Sequence, residues 1–352
     1  MILRYEKFES IIKRVEMSTN FQGINPRQCL LAALVYIFLA LSVFAPHTAK
    51  AQVMDWPQKP IKLVVPYPPG GSADSLARLI GDHLGRAFGQ TVVIENRAGA
   101  GGIIGSQMVA KSPADGYTLV ISGIGSHVIA PIVAEGSYDP IKDFTHIAML
   151  AGPPLAVVVN AEQSFKDFNG FVNFIKNNAS GLSWGSPGQG THGHLTGELF
   201  RTTAKLNMVH INYKGASGAV VDLIGGQISA GFMTLSSAKA AIQSGKLRLL
   251  AVSSPKRLSE YPNVPTFADL GYPALTGTTW FALSGPAGMP TALVDRINAE
   301  VRRGMDTAAA KSRLSVEVME TVAYDAPEFK RYVASEIERL GPAARSLKNS
   351  IK

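Results

Sequence analysis

Apolar residues recur along the chain with two alternating periods. Ile61 to Pro66 (IKLVVP) is a β-branched run that ends at Tyr67-Pro68-Pro69-Gly70-Gly71-Ser72, and it reads as a strand leading into a turn. Leu76, Leu79, Ile80, Leu84 and Phe88 then fall at helical spacing, closed by Gly89. Thr91–Glu95 and Tyr117–Ile121 repeat the strand pattern, with a glycine-rich turn at 98–102 opening a helix through Val109. Ala156–Val159 is a further strand. A second series follows: helix 165–177, strand 182–186, helix 191–204, strand 208–213, helix 216–224, and strands 228–233 and 247–252. Trp280–Leu283 reads as a returning strand, followed by helices over about 291–305 and 327–340. Strand, loop and helix in alternation predict an α/β protein of two lobes, each with a mainly parallel sheet covered on both faces. A cleft between such lobes is a usual place for a small ligand.

The first 51 residues break this pattern. Cys29–Phe44 is an almost unbroken apolar run, shorter than the about 20 residues a spanning helix needs. Ala49-Lys50-Ala51 follows it with the small-x-small spacing of a signal-peptidase site. Residues 1–51 are therefore expected to be a cleaved signal peptide, with Gln52 first in a periplasmic protein. Met17 is a second candidate start. Cys29 is the one cysteine of the 352 residues, so the mature chain would hold neither disulfide nor thiol nucleophile.

Composition narrows the partners. The chain has 34 Lys+Arg against 26 Asp+Glu, a net charge of +8. The leader takes six of the former and three of the latter, leaving +5. No basic run is interleaved with aromatics, so no nucleic-acid partner is expected. A small anion suits the balance better.

Chemistry concentrates in the strand-to-helix turns. In 66–74, Pro69, Gly70, Gly71, Ser72, Ala73 and Asp74 follow Tyr67. Two glycines let a ligand approach the backbone, and Ser72 is placed to cap the helix. Free N–H groups at the helix start make a carboxylate or phosphate cradle, or simply a capped turn. Ser186, Gly188, Gly190 and Thr191 build the same device ahead of His194, which reads as a hydrogen-bond donor at the helix start. Gly188–Gly193 is a literal GxGxxG, but the next strand ends in Tyr213-Lys214 rather than in a ribose-binding acid. His192 and His194 would point about 200° apart on a helix and cannot share a metal. Tyr213, Lys214 and Gly215 offer a hydroxyl and a charge to an acidic ligand. Ser122, Gly123, Ser126 and His127 form a third polar loop. No metal or cofactor is expected. An exported hydrolase using Ser186 or Ser126 with His194 or His127 is the alternative, but it needs an orienting acid that the sequence does not present.

In order, VVPYPPGGSAD (64–74), VIENRAGAGGIIG (93–105), YDPIKDF (138–144), GSPGQGTHGHLTGELF (185–200), NYKG (212–215), DLIGGQ (222–227), GKLRLLAV (245–252) and NVPTFADLGYP (263–273) resemble the extracytoplasmic solute receptors of tripartite tricarboxylate transporters, the Bordetella uptake gene (Bug) family. The resemblance implies a two-lobe, type II-like periplasmic-binding-protein fold with a discontinuous first lobe: 52–159 and 278–352 as lobe 1, and 160–277 as lobe 2. It implies a receptor, not an enzyme, that hands a small carboxylate to membrane permease subunits; a monomer is expected. Loops 69–74 and 186–191 would hold one carboxylate through backbone amides and waters, and 122–127 and 213–215 would complete the wall. Ser229 and Met233 stand where the family pattern often carries acids, which implies a ligand without an ammonium group.

Overall fold

The computed structural model describes residues 55–321 and 323–350. The expected signal peptide lies outside the described residues. In chain order the elements are β1 (Ile61–Val65), α1 (Ser72–Phe88), β2 (Val92–Asn96), α2 (Ile103–Ala110), β3 (Thr118–Gly123), a π-turn (Gly125–Ile129) running into α3 (Ala130–Val133), β4 (Phe144–Ala151) and β5 (Leu155–Asn160). Then come α4 (Phe168–Asn177), β6 (Leu182–Ser186), α5 (His192–Thr203), β7 (Met208–Asn212), α6 (Ala216–Ile224), β8 (Ala230–Thr234), α7 (Leu235–Gln243) and β9 (Leu247–Val252). The chain ends with β10 (Phe281–Pro286), α8 (Thr291–Asp306), α9 (Ala308–Val316) and α10 (Ala326–Ser350).

Two five-stranded sheets form, in the orders β2-β1-β3-β10-β4 and β7-β6-β8-β5-β9. They are mixed rather than mainly parallel. β1 runs parallel to β2 and β3, and β6 to β7 and β8. β10 is antiparallel to β3 and β4, and β5 to β8 and β9. The reason lies in the connections between sheets. β5 and β10 each begin where the chain crosses over, so they enter their sheets from the end at which β1, β3, β6 and β8 finish. The first crossover comes at 152–154, earlier than the boundary near Val159 expected from the sequence, because all of β5 belongs to the second sheet. The crossovers pair with each other: Pro154 bridges Thr278, and the Thr279 amide donates to the Pro153 carbonyl at 3.0 Å.

Each sheet is stabilised by apolar side chains taken out of water, each large one contributing about 1.5–3 kcal/mol. In the second lobe Trp184, Phe168, Phe171, Phe200, Phe232 and Phe267 pack together on one face. Leu223, Met233, Leu235 and Leu247 form the core of the other. In the first lobe Leu76, Ile80 and Leu84 of the spacing read from the sequence are buried on α1 together with Ala77, while Leu79 and Phe88 are half-buried, and Gly89 ends the helix at φ 68°. α10 closes the far side, placing Phe329 and Val333 against Trp280, Ile124 and Val128.

Candidate functional site

The C-terminal ends of β1, β6, β7 and β8 each turn directly into a helix, and the four turns meet around one cavity of about 280 Å³. Its lining includes first-turn residues of α1 (Ser72, Ala73), α5 (His192, Gly193), α6 (Ala216, Ser217) and α7 (Ser237), with Gly71, Thr191, Gly215 and Thr234 just ahead of the four helices. First-turn N–H groups lack intrahelical partners, and the helix dipole adds partial positive charge there. Ile124, Leu155, Pro187 and Phe281 supply apolar wall; among the described residues Lys214 is the one charged lining residue and no carboxylate lines the cavity. That combination favours an anion with an apolar body.

The 66–74 turn is held from beneath. Asp74 is buried and accepts from the Gly70 amide at 3.1 Å, from Arg78 Nε at 2.9 Å and from Asn96 Nδ2 at 3.0 Å. Burial alone would raise its pKa, but the bonds from Arg78, Gly70 and Asn96 outweigh this and hold the carboxyl below its usual range. Asp74 therefore shapes the loop and is not part of the wall. Gly70 sits at φ +84°, a conformation that favours glycine, and lies outside the lining. The helix cap is Gly71, not Ser72. Ser72 is instead the first helical residue, and its Oγ lies 3.0 Å from Thr234 Oγ1 and 2.6 Å from Ser236 Oγ, across the cleft. Thr234 Oγ1 is also 2.7 Å from Ser237 Oγ. A chain of hydroxyls thus ties α1 of one lobe to the β8–α7 turn of the other. Tyr67 lines the cavity while its Oη accepts from the Ser126 amide at 3.1 Å.

The second turn divides in the same way. Thr191 caps α5, accepting from the His194 amide at 3.3 Å and donating to the Gly188 carbonyl at 2.6 Å, and it lines the cavity. Ser186, Gly188, Gly190 and His194 form the scaffold behind it. His194 Nδ1 accepts from the Gly190 amide at 3.2 Å, so at this nitrogen the ring is an acceptor rather than the expected donor. Its ring stacks on His210 at 4.1 Å, and burial followed by that neighbour lowers its pKa to about 3. His192 does line the cavity. Its Nδ1 lies 2.9 Å from Thr279 Oγ1, which lines it too, and burial and then the Arg339 charge lower its pKa to about 3.

Tyr213 is turned away from the cavity. Its ring lies over Gly185 and Gly218, its Oη donates to Asp222 Oδ2 at 2.6 Å, and burial and then Asp222 push its pKa up to about 12. Lys214 and Gly215 do reach the lining, with Gly215 at φ +119° pressed against Pro68 of the opposite lobe. Of the 122–127 loop, Ile124 and Gly125 reach the cavity. Ser122 pairs with Ser284 at 2.7 Å, Gly123 backs onto the Trp280 carbonyl, and Ser126 and His127 are fully buried, 3.0 Å apart. Ser186 pairs with His210 at 2.8 Å rather than with His194. Neither serine lines the cavity, and neither His127 nor His210 is hydrogen-bonded to a carboxylate among the described residues, so the Ser/His pairs have no hydrolase geometry. Ser229 and Met233 lie outside the lining, Met233 deep in the second lobe's core. The expectation of an ammonium-free ligand loses its ground there.

Thr234, Ser237, Thr279 and Phe281 carried no sequence signal. The β8–α7 turn has no glycine or proline, and Thr279 and Phe281 come to the site only through the second crossover.

A profile of the tripartite tricarboxylate transporter family receptor matches residues 76–348. Protein BugT of Bordetella pertussis is 33% identical over 327 residues, spanning 92% of this chain and 98% of BugT. The structure of R. palustris Rpa4515 with adipate has a TM-score of 0.79 at 32% identity, covering 83% of this chain and 98% of that one. MatC (Rpa3494) from Rhodopseudomonas palustris with bound malate gives 0.78 at 27% identity, over 82% of this chain and 100% of MatC. With the family motifs in order along the sequence and the same fold beneath them, the chain belongs to the tripartite tricarboxylate transporter receptor family of periplasmic binding proteins.

Proposed function

We propose that this protein is an extracytoplasmic receptor that captures a small carboxylate in the cleft and delivers it to the membrane permease of a tripartite tricarboxylate-type transporter. The observation that carries the reading is the convergence of four helix starts and Lys214 on a cavity with no lining carboxylate among the described residues. Relatives with adipate and with malate support the ligand class. The Ala49-Lys50-Ala51 site after the Cys29–Phe44 apolar run supports the location; no helix among the described residues is long and apolar enough to cross a membrane. The ligand-binding residues are those that line the cavity: Tyr67, Pro69, Gly71, Ser72, Ala73, Thr191, Lys214 and Gly215, joined by His192, Ser217, Thr234 and Thr279. The lobes move as a monomer about the paired crossovers, with 152–154 and 278–280 as hinge strands.

The test is native mass spectrometry of the purified exported protein for retained ligand, then a thermal-shift screen against a carboxylate panel. A ligand at a hundredfold excess over Kd stabilises the fold by about 2.7 kcal/mol. A panel of aliphatic and aromatic carboxylates that leaves the melting temperature unmoved refutes the reading. An exported form whose intact mass starts before Gln52 refutes the cleavage site alone.

A further inference from the structure

The chain between α9 and α10 reaches from the first lobe to the second. α9 ends in a capped turn, where the Val318 amide donates to the Ser315 carbonyl at 3.1 Å and the Met319 amide to the Leu314 carbonyl at 2.9 Å. Such a cap needs a left-handed residue at position 318, most often glycine, yet a valine stands there at φ +54°. A β-branched side chain strains this conformation. The Val318 side chain packs against the second lobe's apolar cluster, which holds Leu235, Ala238 and Leu247. Backbone strain is thus offset by a contact between lobes that glycine could not make.

A second fastening stands beside it. Lys239, on α7 of the second lobe, is only 9% exposed, and its Nζ donates to the Val316 carbonyl at 2.5 Å and to Glu260 Oε2 at 2.6 Å. Ser236, which meets Ser72 across the cleft, lies three residues before Lys239 and so on the same face of α7. On the first-lobe side, Glu317 accepts from Ser75 Oγ of α1 at 2.5 Å and from Arg313 Nε at 2.7 Å. Glu320 pairs with Gly152 at the first crossover, amide to carbonyl in both directions, at 2.9 and 3.2 Å. Neither Lys239 nor any residue of 316–320 lines the cavity.

We propose that segment 316–320 is a strap that sets the balance between open and closed lobes, with Lys239 and Val318 fastening the second lobe in the closed form. Glu320 and Gly152 sit at the hinge and stay paired, while Lys239 and Val318 release as the lobes part. Glu260 is 38% exposed and Val316 is exposed, so opening leaves Lys239 one partner and gives the Val316 carbonyl to water. Away from the cavity, the strap acts on affinity only through closure. The inference rests on the hinge motion proposed above and not on which carboxylate is bound.

The experiment measures lobe separation by electron spin resonance, with labels at Arg86→Cys and Lys176→Cys, exposed positions on the first and second lobes. Cys29, the one native cysteine, lies in the leader expected to be removed. Wild type, Lys239→Met and Val318→Gly are compared ligand-free and with each carboxylate of the panel. Loss of either fastening is expected to raise the ligand-free open-to-closed ratio about fivefold. Val318→Gly should do so while leaving or raising the urea midpoint, because glycine suits the left-handed cap. A distribution unchanged in one variant removes that residue from the strap. Unchanged distributions in both, with wild type still closing on a panel carboxylate, overturn the strap and leave the receptor reading intact. A wild-type distribution that no panel carboxylate moves, together with unmoved variants, removes the hinge motion and the strap with it.

Discussion

Ser72→Ala is the most direct probe of how the lobes are held together. Ser72 is buried, and its Oγ makes two contacts, with Thr234 Oγ1 and Ser236 Oγ, both in the opposite lobe. Alanine keeps Cβ, so it preserves helix α1 and removes only these contacts. A neutral hydrogen bond contributes about 0.5–1.5 kcal/mol net. Thr234 keeps its partner Ser237 at 2.7 Å, so no hydroxyl is stranded there and the full two-bond figure does not apply. The closed arrangement then loses about 1–2 kcal/mol relative to an open one. If the ligand binds between closed lobes, apparent affinity falls by about 5- to 30-fold once the closed state is the minor one. The assay pairs calorimetry with small-angle scattering of the ligand-free protein, where a larger radius of gyration is expected for Ser72→Ala. Ser284→Ala is the control: it breaks a bond of similar length, to Ser122, within one sheet, and should lower unfolding stability without opening the cleft. An affinity within twofold of wild type together with an unchanged radius of gyration would refute the hydroxyl chain as a latch.

Three further outcomes are expected. Gly71→Val adds a side chain where a Cβ meets nothing within 4 Å, on the cavity wall and at φ −90°, so folding should change by no more than about 1 kcal/mol while carboxylate affinity is lost; unchanged affinity by calorimetry would make the 69–74 loop only a capped turn. Gly197→Ala places a Cβ 2.2 Å from the Trp184 ring in a closed core and should cost about 1–3 kcal/mol by urea unfolding, a loss that an unaltered midpoint would contradict. His192 and His194 (pKa about 3) and His146 and His210 (about 4) are lowered chiefly by burial. The unfolded chain therefore takes up protons first, stability is full above about pH 7, and it falls as pH drops below about 6.5 by about 1.4 kcal/mol per unit for each such group. Urea midpoints at pH 7.5 and 5.0 should differ in that direction, and His192→Asn should flatten the slope; equal midpoints in wild type would count against burial of the neutral rings.

Much of this arrangement is written locally in the chain. Short apolar runs ending at turn residues place β1 and β6, and helical spacing places α1 and α5, because a short run bounded by turns is a buried strand and a helix with one apolar face has few ways to bury it. The glycine- and proline-bearing turns at 66–72 and 185–191 mark two of the four helix starts at the cavity, since a backbone that must turn sharply and stay open to a ligand needs those residues. β4 carries no clear local signal: Phe144–Ala151 (FTHIAMLA) has neither the alternation of a half-buried strand nor the β-branched run that marks β5. α7 is not marked locally, because the chain passes from strand to helix at Thr234 without a turn residue. Met233 and Thr234 show the limit most directly. They are adjacent and both buried, yet alternation on β8 sends Met233 into the core, while Thr234, at the strand end, lines the cavity.

The sequence alone determined the α/β class, the family and the loops that carry exposed backbone amides, because these depend on residues close together along the chain. The tertiary structure decided that β5 and β10 run against their neighbours, that Asp74, Ser126, His127, His194 and Tyr213 brace the site rather than face it, and that Thr234 and Thr279 join it. Those outcomes turn on which segments the two crossovers bring together. Residues 162 positions apart, such as Ser72 and Thr234, meet only after both sheets have closed around the cleft.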